Sequence, residues 1–436
     1  MSQRHARRLR LGMAVYADIT FDSRVRREAA VLAEAGHEVD LVCLGDAGTG
    51  TDLPPGVHVR TLVPTAGRVL PGAGSPLWRP GRLGRLLRAG GWLFGYARNL
   101  RAWGRLATEA VGPVDAWHLH DLPALAAVAP RLHGHTPYVF DSHEIFLEAG
   151  TAARLPGTAR RLLRKYERRL VQRAFALVTV NDALAEILER RYRPLRTVVV
   201  HNCPARWQAP EGLTDRLRPA ARLPAGTPVV LYHGSIGGGR GIEQLLEAMQ
   251  EPGLERAHFV AMGPGEALAE FAALLEAPRW GGRAHLLPPV PPSELLGWVA
   301  SADVGGAVIQ ATTRNHVNST PNKLFECLAA GVPVVASDFP AMRPIVVGSP
   351  GGPLGAVADP ASPSSIAAAL RAVLDLPPDE AAALRARCRR AATERWNWEV
   401  ESARLVGLYD DLASGRTASG PRRRTAKATA GPAARD

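Results

Sequence analysis

Cysteine is scarce: the 436 residues hold four (Cys43, Cys203, Cys327 and Cys388), with no Cys-x-x-Cys pair and no His/Cys cluster at zinc spacing. A disulfide framework and a structural zinc site are thereby excluded, and reduced thiols in a cytoplasmic protein are the expectation. Long apolar runs are missing too, since none approaches the ~20 residues a membrane-spanning helix needs. The start, MSQRHARRLRLGMAVYADI, is basic then apolar like a signal peptide. Its apolar run breaks at Asp18 and leads into a helical pattern, so it reads as a buried strand. The dinucleotide fingerprint Gly-x-Gly-x-x-Gly is absent from the first strand–helix turn, which carries DITFDSR and offers a dinucleotide no evident seat. No Asp-x-Asp pair stands at a plausible strand end.

Acidic residues are outnumbered, and unevenly. The net charge is +12; residues 1–203 hold 29 Lys/Arg against 18 Asp/Glu, and residues 204–436 hold 24 against 23. One half is built to meet something negative, the alternative being a generally Arg-rich composition with no partner. A 46% hydrophobic chain of this length suits two α/β domains plus a tail.

In the first half, Leu11–Ala17, Val39–Leu44 and Val57–Val63 read as strands, with a helix at Ser23–Ala35 stopped by Gly36. That spacing calls for a parallel sheet with a right-handed crossover. After a Pro/Gly-rich link (Pro64–Pro80), Arg82–Thr108 has helical periodicity. Leu83, Leu86, Leu87, Leu93, Phe94, Ala97 and Leu100 share one face, with Arg85, Arg88, Trp92, Tyr96 and Trp103 roughly opposite. Aromatics among arginines suit an anionic bilayer interface; packing on a neighbouring helix is the alternative. Short strands at Ala116–Leu119 and Tyr138–Phe140 end in His120-Asp121 and Asp141-Ser142-His143-Glu144, where an open parallel sheet lines its ligand crevice. A basic helix (Leu162–Ala174), a strand (Leu177–Val180), a helix (Asp182–Arg191) and a strand (Thr197–His201) complete a domain over 1–204.

A linker at 205–227 leads to a second series over 228–395. Strand Pro228–Tyr232 is followed by the glycine-rich turn His233–Gly241 and helix Ile242–Met249. Such a turn lets backbone N–H groups approach a phosphate, and Arg240 can add charge-assisted bonds. Strand Ala257–Met262 enters Gly263-Pro-Gly265. Strand Ala284–Leu287 ends in the proline-rich stretch around Val290, whose backbone can face a base edge. Helix Glu294–Ala300 and strand Val304–Ile309 lead into NSTPNKLFECLAAGVPVVASD at 318–338. There Ser319 or Thr320 can cap, Pro321 suits the first turn, Lys323–Ala330 continues the helix, Gly331 ends it and Val332–Ala336 is a buried strand. The open helix start invites an anion. Lys323 can contact phosphate, and Glu326, about a turn and a half in, can take both hydroxyls of a ribose. Helices at Ile366–Leu374, Glu380–Glu394 and Glu399–Leu412 follow, and the basic tail 414–436 is expected to be disordered.

PNKLFECLAAGVPVVASD, HGSIGGGRGIEQLLEAM, ASADVGGAVI, the DSHE element at 141–144 and REAAVLAEAGHEVDLV together resemble the retaining GT-B glycosyltransferases of family 4, from about Leu11 to Leu412. The resemblance implies an α/β GT-B fold: two Rossmann-like domains facing a central cleft, with the segment 396–413 crossing back to the first. It implies transfer of a sugar from a nucleotide donor with retained configuration and no metal or other cofactor. The second domain would hold the donor through Gly234, Ser235, Gly239, Arg240, Gly263, Val290, Asn318, Thr320, Pro321, Asn322, Lys323, Leu324 and Glu326. Glu326 matches the second Glu of the family's pair, and Asn318 stands in place of the first. Arg240 matches the basic residue that meets the diphosphate, while Ser235 or Ile236 replaces its frequent basic partner. His143 resembles the histidine near the donor sugar, and with Arg240 and Lys323 forms the expected catalytic set. Asp22, Arg24, His120, Asp121 and Glu144 are expected on the acceptor side, with Asp22-Ser23-Arg24 standing where the family commonly has a glycine pair.

The implied chemistry is front-face displacement with the departing phosphate oxygen as base. A UDP-sugar is favoured over a GDP-sugar, and a glycan, lipid-linked saccharide or glycolipid of the cell envelope is the expected acceptor. The basic first half suggests a polyisoprenyl-phosphate or other anionic lipid, with the protein bound peripherally to the inner face of the cell membrane. No nucleic-acid-reading motif is present, so no nucleic-acid partner is expected. The alternatives are a nucleotide-sugar epimerase on the same fold and a non-catalytic nucleotide-sugar-binding paralogue, the latter motivated by Asn318 and Ser235.

Overall fold

The computed structural model describes residues 7–20, 22–45, 49, 52–63, 82–132, 136–265 and 268–415, and side chains throughout these except at 82–93. The first half contributes β1 (Arg10–Asp18), β2 (Glu38–Leu44), β3 (Val57–Thr61), β4 (Ala116–His120), β5 (Tyr138–Ser142), β6 (Ala176–Thr179) and β7 (Thr197–Val199). All pair in parallel, in the order β3-β2-β1-β4-β5-β6-β7. The second half adds β8 (Val229–His233), β9 (His258–Met262), β10 (Ala284–Leu287), β11 (Val304–Ala307), β12 (Val334–Ser337) and β13 (Gly355–Ala358). These too are parallel, ordered β10-β9-β8-β11-β12-β13. Every residue of β4, β5, β6, β8, β11 and β12 is buried, because helices cover both faces of each sheet. The chain reverses its direction of growth between β1 and β4 and again between β8 and β11. Crevices open at such points beyond the strand C-terminal ends, and there the polar groups gather.

The helix Trp398–Ala413 starts in the second half and packs into the first. Asn397 caps it by accepting from Val400 N at 3.0 Å, and Leu405, Leu408 and Tyr409 join a core with Leu11, Val39, Val139 and Val178. The fold is therefore the two-domain α/β GT-B arrangement with a returning C-terminal helix.

Several expectations shift. The segment 205–227 holds a helical turn, Leu217–Ala220, whose Leu217 is buried in the second domain's core. The helix over 82–108 extends to Val111, but Trp103 is buried and meets Tyr16 edge-on at 5.2 Å, with half-buried Tyr96 at 6.2 Å. Its expected membrane aromatics, where described, thus pack inward, while Phe94 from the nominal core face is 71% exposed. The side chains of Arg85, Arg88 and Trp92 lie outside the described residues, as do the link at 64–80 and the tail from 416. Gly104 sets the close approach of that helix to its neighbour: a Cβ there would stand 2.1 Å from Ala127 O, so only glycine permits this approach to the helix Asp121–Val128. Among the described residues no helix is long and apolar enough to cross a membrane.

Candidate active site

On the second-domain wall, the turn after β8 and the turn after β9 are laced together. Gly234 N donates to Met262 O at 2.9 Å and Ile236 N to Pro264 O at 2.8 Å. Gly263 has φ +151°, and a Cβ there would stand 2.2 Å from Gly234 O. Against these turns lies the helix Asn322–Ala329, which begins after an extended Pro321 with no side-chain cap. Ser319 and Thr320 do not serve as caps: Ser319 Oγ donates back to His316 O at 3.0 Å, and Thr320 Oγ1 faces Asn181 Nδ2 at 3.4 Å. The amides of Asn322 and Lys323 have no partner among the described residues, which leaves an open helix start. Leu324 N is spent on Pro321 O at 3.0 Å and its side chain is fully buried, so Leu324 supports this wall without facing the cleft.

The Lys323 Nζ sits 3.2 Å from the centroid of the Tyr232 ring, and among the described residues no carboxylate forms an ion pair with it. Burial, and then the nearby Arg240 charge, push it well below the usual lysine range. Arg240 itself is exposed on the glycine-rich turn. His316 stands against Gly239, its ring accepting or donating with Thr312 Oγ1 at 2.7 Å, and burial plus Arg240 lower its pKa. Burial and the neighbouring guanidinium thus disfavour the charged lysine while no anion is bound, and an anion entering between Lys323 and Arg240 would restore its charge, which makes the pair a receptor for one. One turn into the helix, Glu326 Oε2 meets His233 Nε2 at 2.9 Å. Burial opposes its charge, but His233, Arg27 and Lys323 outweigh it and hold the carboxyl below the ordinary glutamate range.

The first-domain wall is a chain of ionisable groups at the ends of β4 and β5. Buried Asp141 receives Arg24 through Nε at 2.9 Å and Nη2 at 3.0 Å, and Arg24 also pairs with buried Glu28 at 3.0 Å. His143 is clamped between two carboxylates, Nδ1 at 3.3 Å from Asp121 and Nε2 at 3.3 Å from Asp141. Burial disfavours its charge, yet Asp121 and Asp141 prevail and raise its pKa to about 10. Behind it, His120 Nδ1 lies 3.2 Å from His143 Nε2, and burial followed by the His118 charge lowers the His120 pKa. His118 completes the chain, bonded to Tyr409 OH at 2.7 Å. Asp121 adopts φ +58°, a left-handed conformation uncommon outside glycine, and accepts from His143 N at 3.0 Å. Glu28, His118, His120 and Asp141 bring one ligand atom each within 4.8 Å of one another. Arg24 already contacts both carboxylates, so the set is an ion-pair network in which a metal would compete with a bound guanidinium.

The two walls touch through amides. Asn315 Oδ1 accepts from Ile145 N at 2.8 Å, Asn181 Nδ2 donates to Asn318 O at 2.9 Å, and Asn202 Nδ2 to Asn322 Oδ1 at 2.9 Å. These contacts bring Glu144 within 3.4 Å of Asn315 Nδ2, and burial, then Asp121, push the Glu144 carboxyl up to about 7.

Comparison with known proteins places this geometry. Residues 22–203 match the family described as Glycosyl transferase 4-like domain, and residues 227–375 that described as Glycosyl transferases group 1. The chain belongs to the group 1, family 4 glycosyltransferases. It is 28% identical to a glycogen synthase of Mycobacterium tuberculosis over 425 residues, covering 91% of this chain and 92% of that one. In fold it resembles sucrose-phosphate synthase of Thermosynechococcus elongatus (17% identity, TM-score 0.70, 94% of this chain and 100% of the other). It likewise resembles Anabaena HepE, solved in complex with UDP-glucose (14%, TM-score 0.64, 93% and 100%).

Within this glycosyltransferase, the structure brings Gly234, Gly239, Arg240, Gly263, Asn322, Lys323 and Glu326 to one wall, and Asp121, His143 and Glu144 to the other. Ser235 is exposed beside them, its carbonyl accepting from Tyr232 OH at 2.6 Å. Val290, after β10, packs its side chain on the second-domain core. Asn318 ends a short helix, Arg314–Val317, and turns its amide back to Arg314 O at 2.8 Å. Three acceptor-side expectations need correcting. Arg24 is 3% exposed and consumed by Asp141 and Glu28; His120 is 1% exposed behind His143; Asp22 caps the helix Ser23–Glu34, accepting from Arg24 N and Val25 N at 3.1 Å. Asn181, Asn202, His233, Asn315 and His316 were not foreseen. For His233 the signal was present, since it ends β8 directly before the glycine-rich turn.

Proposed function

We propose that this glycosyltransferase moves a hexosyl unit from a nucleoside-diphosphate sugar, a UDP-sugar before a GDP-sugar, to an acceptor hydroxyl with retention and without a metal. The observation that carries the reading is the basic pair, Lys323 on the Tyr232 ring with Arg240 beside it, neither in an ion pair with a carboxylate among the described residues, at an open helix start. Departure of a nucleoside diphosphate builds negative charge, and preorganised cations in a partly dry site stabilise it where a metal serves elsewhere. Glu326, fixed by His233 a turn further in, suits the ribose hydroxyls.

In this reading the donor C1–O bond breaks as the acceptor oxygen bonds C1 on the same face, and the acceptor proton passes to the departing phosphate oxygen. His143, with both ring nitrogens facing carboxylates, is a fixed cation and takes no proton. Anabaena HepE is solved with UDP and with UDP-glucose, and the curated relative is a glycogen synthase, which supports a nucleotide-sugar donor and a glycan acceptor.

The test is transfer by Lys323→Ala and Arg240→Ala across UDP- and GDP-sugars, with and without chelator. Each variant is expected to lose roughly 10²–10³ in turnover with nucleotide-free melting little changed, and chelator is expected to have no effect. Near-wild-type transfer in both variants overturns the assignment, and chelator-sensitive transfer overturns metal independence. Conversion of the nucleotide sugar with no acceptor present would identify an epimerase instead.

A further inference from the structure

Beside the first-domain wall lies an apolar cavity of about 160 Å³ between the helix Arg82–Val111 and the helix Gly157–Val171, lined by Tyr96, Leu100, Leu122, Phe146, Leu163 and Tyr166 among others. Apolar cavities of roughly 150 Å³ admit a benzene-sized guest. A short stretch of hydrocarbon fits, while a sugar would find almost no hydrogen-bonding partners there. Tyr166, which lines the cavity, is 38% exposed, and on the same two helices Phe94 is 71% and Leu162 67% exposed. Exposed residues of this size on the two helices that wall an apolar cavity mark a binding surface.

Charge says what kind. Phe94, Ala97 and Arg101 share one helix face at i, i+3 and i+7, and Leu162, Tyr166 and Arg169 share the other at i, i+4 and i+7. Arg98, Arg101, Arg161, Arg164, Lys165 and Arg168 are exposed, and among the described residues none forms an ion pair with a carboxylate. Glu167, the lone acid of its helix, is buried and bonded by Tyr192 OH. The cavity also abuts the reacting edge. Leu122 follows Asp121 directly, and Phe146 stands two residues after Glu144.

We infer that this groove seats the hydrocarbon chain of a lipid phosphate, its phosphate held by the rim arginines. The chain fills the apolar cavity, the anion neutralises the unpaired cations, and whatever the phosphate carries is directed along β4 and β5 toward His143. That the lipid is the acceptor rests on the glycosyl-transfer reading; that it binds does not.

The experiment uses the full-length chain and farnesyl monophosphate below its micelle concentration, with farnesol and inorganic phosphate as controls. Saturable binding of farnesyl monophosphate at least tenfold tighter than either control is expected, undisplaced by UDP. Ala126→Phe, which fills the cavity, and the exposed double variant Arg101→Glu/Arg164→Glu should each weaken it tenfold or more, with UDP binding kept as the sign of a folded protein. Equal affinity for farnesol, displacement by UDP, or unchanged affinity in the charge-reversed variant overturns the inference. So does a chain that dimerises through this face and shows no lipid affinity. Lipid binding without transfer from any nucleotide sugar defeats the transferase reading alone, and transfer to soluble glycans without lipid binding defeats this one alone.

Discussion

His143 offers the sharpest test of the first-domain wall. Its imidazole lies 3.3 Å from Asp121 on one side and 3.3 Å from Asp141 on the other, and is 21% exposed, so the two attractions are little screened. A native pKa of about 10 against about 6.5 unfolded corresponds to roughly 5 kcal/mol favouring the imidazolium. Asp141 is shared with Arg24 and His120, so the part belonging to His143 alone is smaller, on the order of 2 kcal/mol or more. Because the native pKa is the higher one, this stabilisation is fully present below pH 6.5 and is lost as pH climbs toward 10. The perturbation is His143→Gln, which keeps polarity and removes the titration. Urea unfolding of both proteins at intervals from pH 6 to pH 10 is the assay. The stability gap is expected to be widest at pH 6 and to shrink by about 2 kcal/mol or more toward pH 10. Glu167, raised to about 7, titrates in the same window in both proteins and largely cancels in the difference; Glu144, also raised to about 7, is held down by the His143 charge, so both proteins are compared in a Glu144→Gln background. A gap that stays constant, or widens with pH, refutes the argument by showing a neutral histidine, free to act as a base. Transfer rates report the same point independently, since a fixed cation gives no acid limb near pH 6.5.

Asp141→Asn removes the carboxylate that Arg24, His118, His120 and His143 converge on; stranding that charge should cost about 3–5 kcal/mol, read by denaturant unfolding. Tyr409→Phe deletes a hydroxyl by which the returning helix reaches the His118 network, and a loss of about 1–3 kcal/mol with unchanged UDP binding is expected by calorimetry.

Legibility from sequence tracked how local each feature is. The helix Asn322–Ala329, the glycine-rich turn and the histidine-bearing ends of β4 and β5 are contiguous stretches in which residue type, spacing and stop signal agree, and all stand within a residue or two of where the pattern put them. β13 and the helix Leu268–Leu275 escaped because their windows are too short or too uniformly apolar to show a period. Arg24 failed for another reason. Its neighbours make it look like a helix-start cation free for a ligand, and what consumes it is Asp141, 117 residues away. The amide contacts across the cleft have the same character. Asn181, Asn202 and Asn315 find partners 120 to 170 residues distant, a separation over which no periodicity carries information.

The long helix Arg82–Val111 shows the limit of periodicity most clearly. A helical wheel fixes which residues travel together but not which set faces inward, and here both sets contained large apolar groups. Packing against β1 decided it: Tyr16 offers an aromatic edge to Tyr96 and Trp103, and the close approach at Gly104 seats that side on the helix Asp121–Val128. Phe94 and Arg101 are then left outward, beside a basic helix that sequence marked only for its charge. The surface inferred to seat a lipid phosphate is thus a product of two helices whose kinship no window of either reveals. Reversing charge on one rim residue from each, Arg101 and Arg164, tests that joint surface more directly than any change within a single helix.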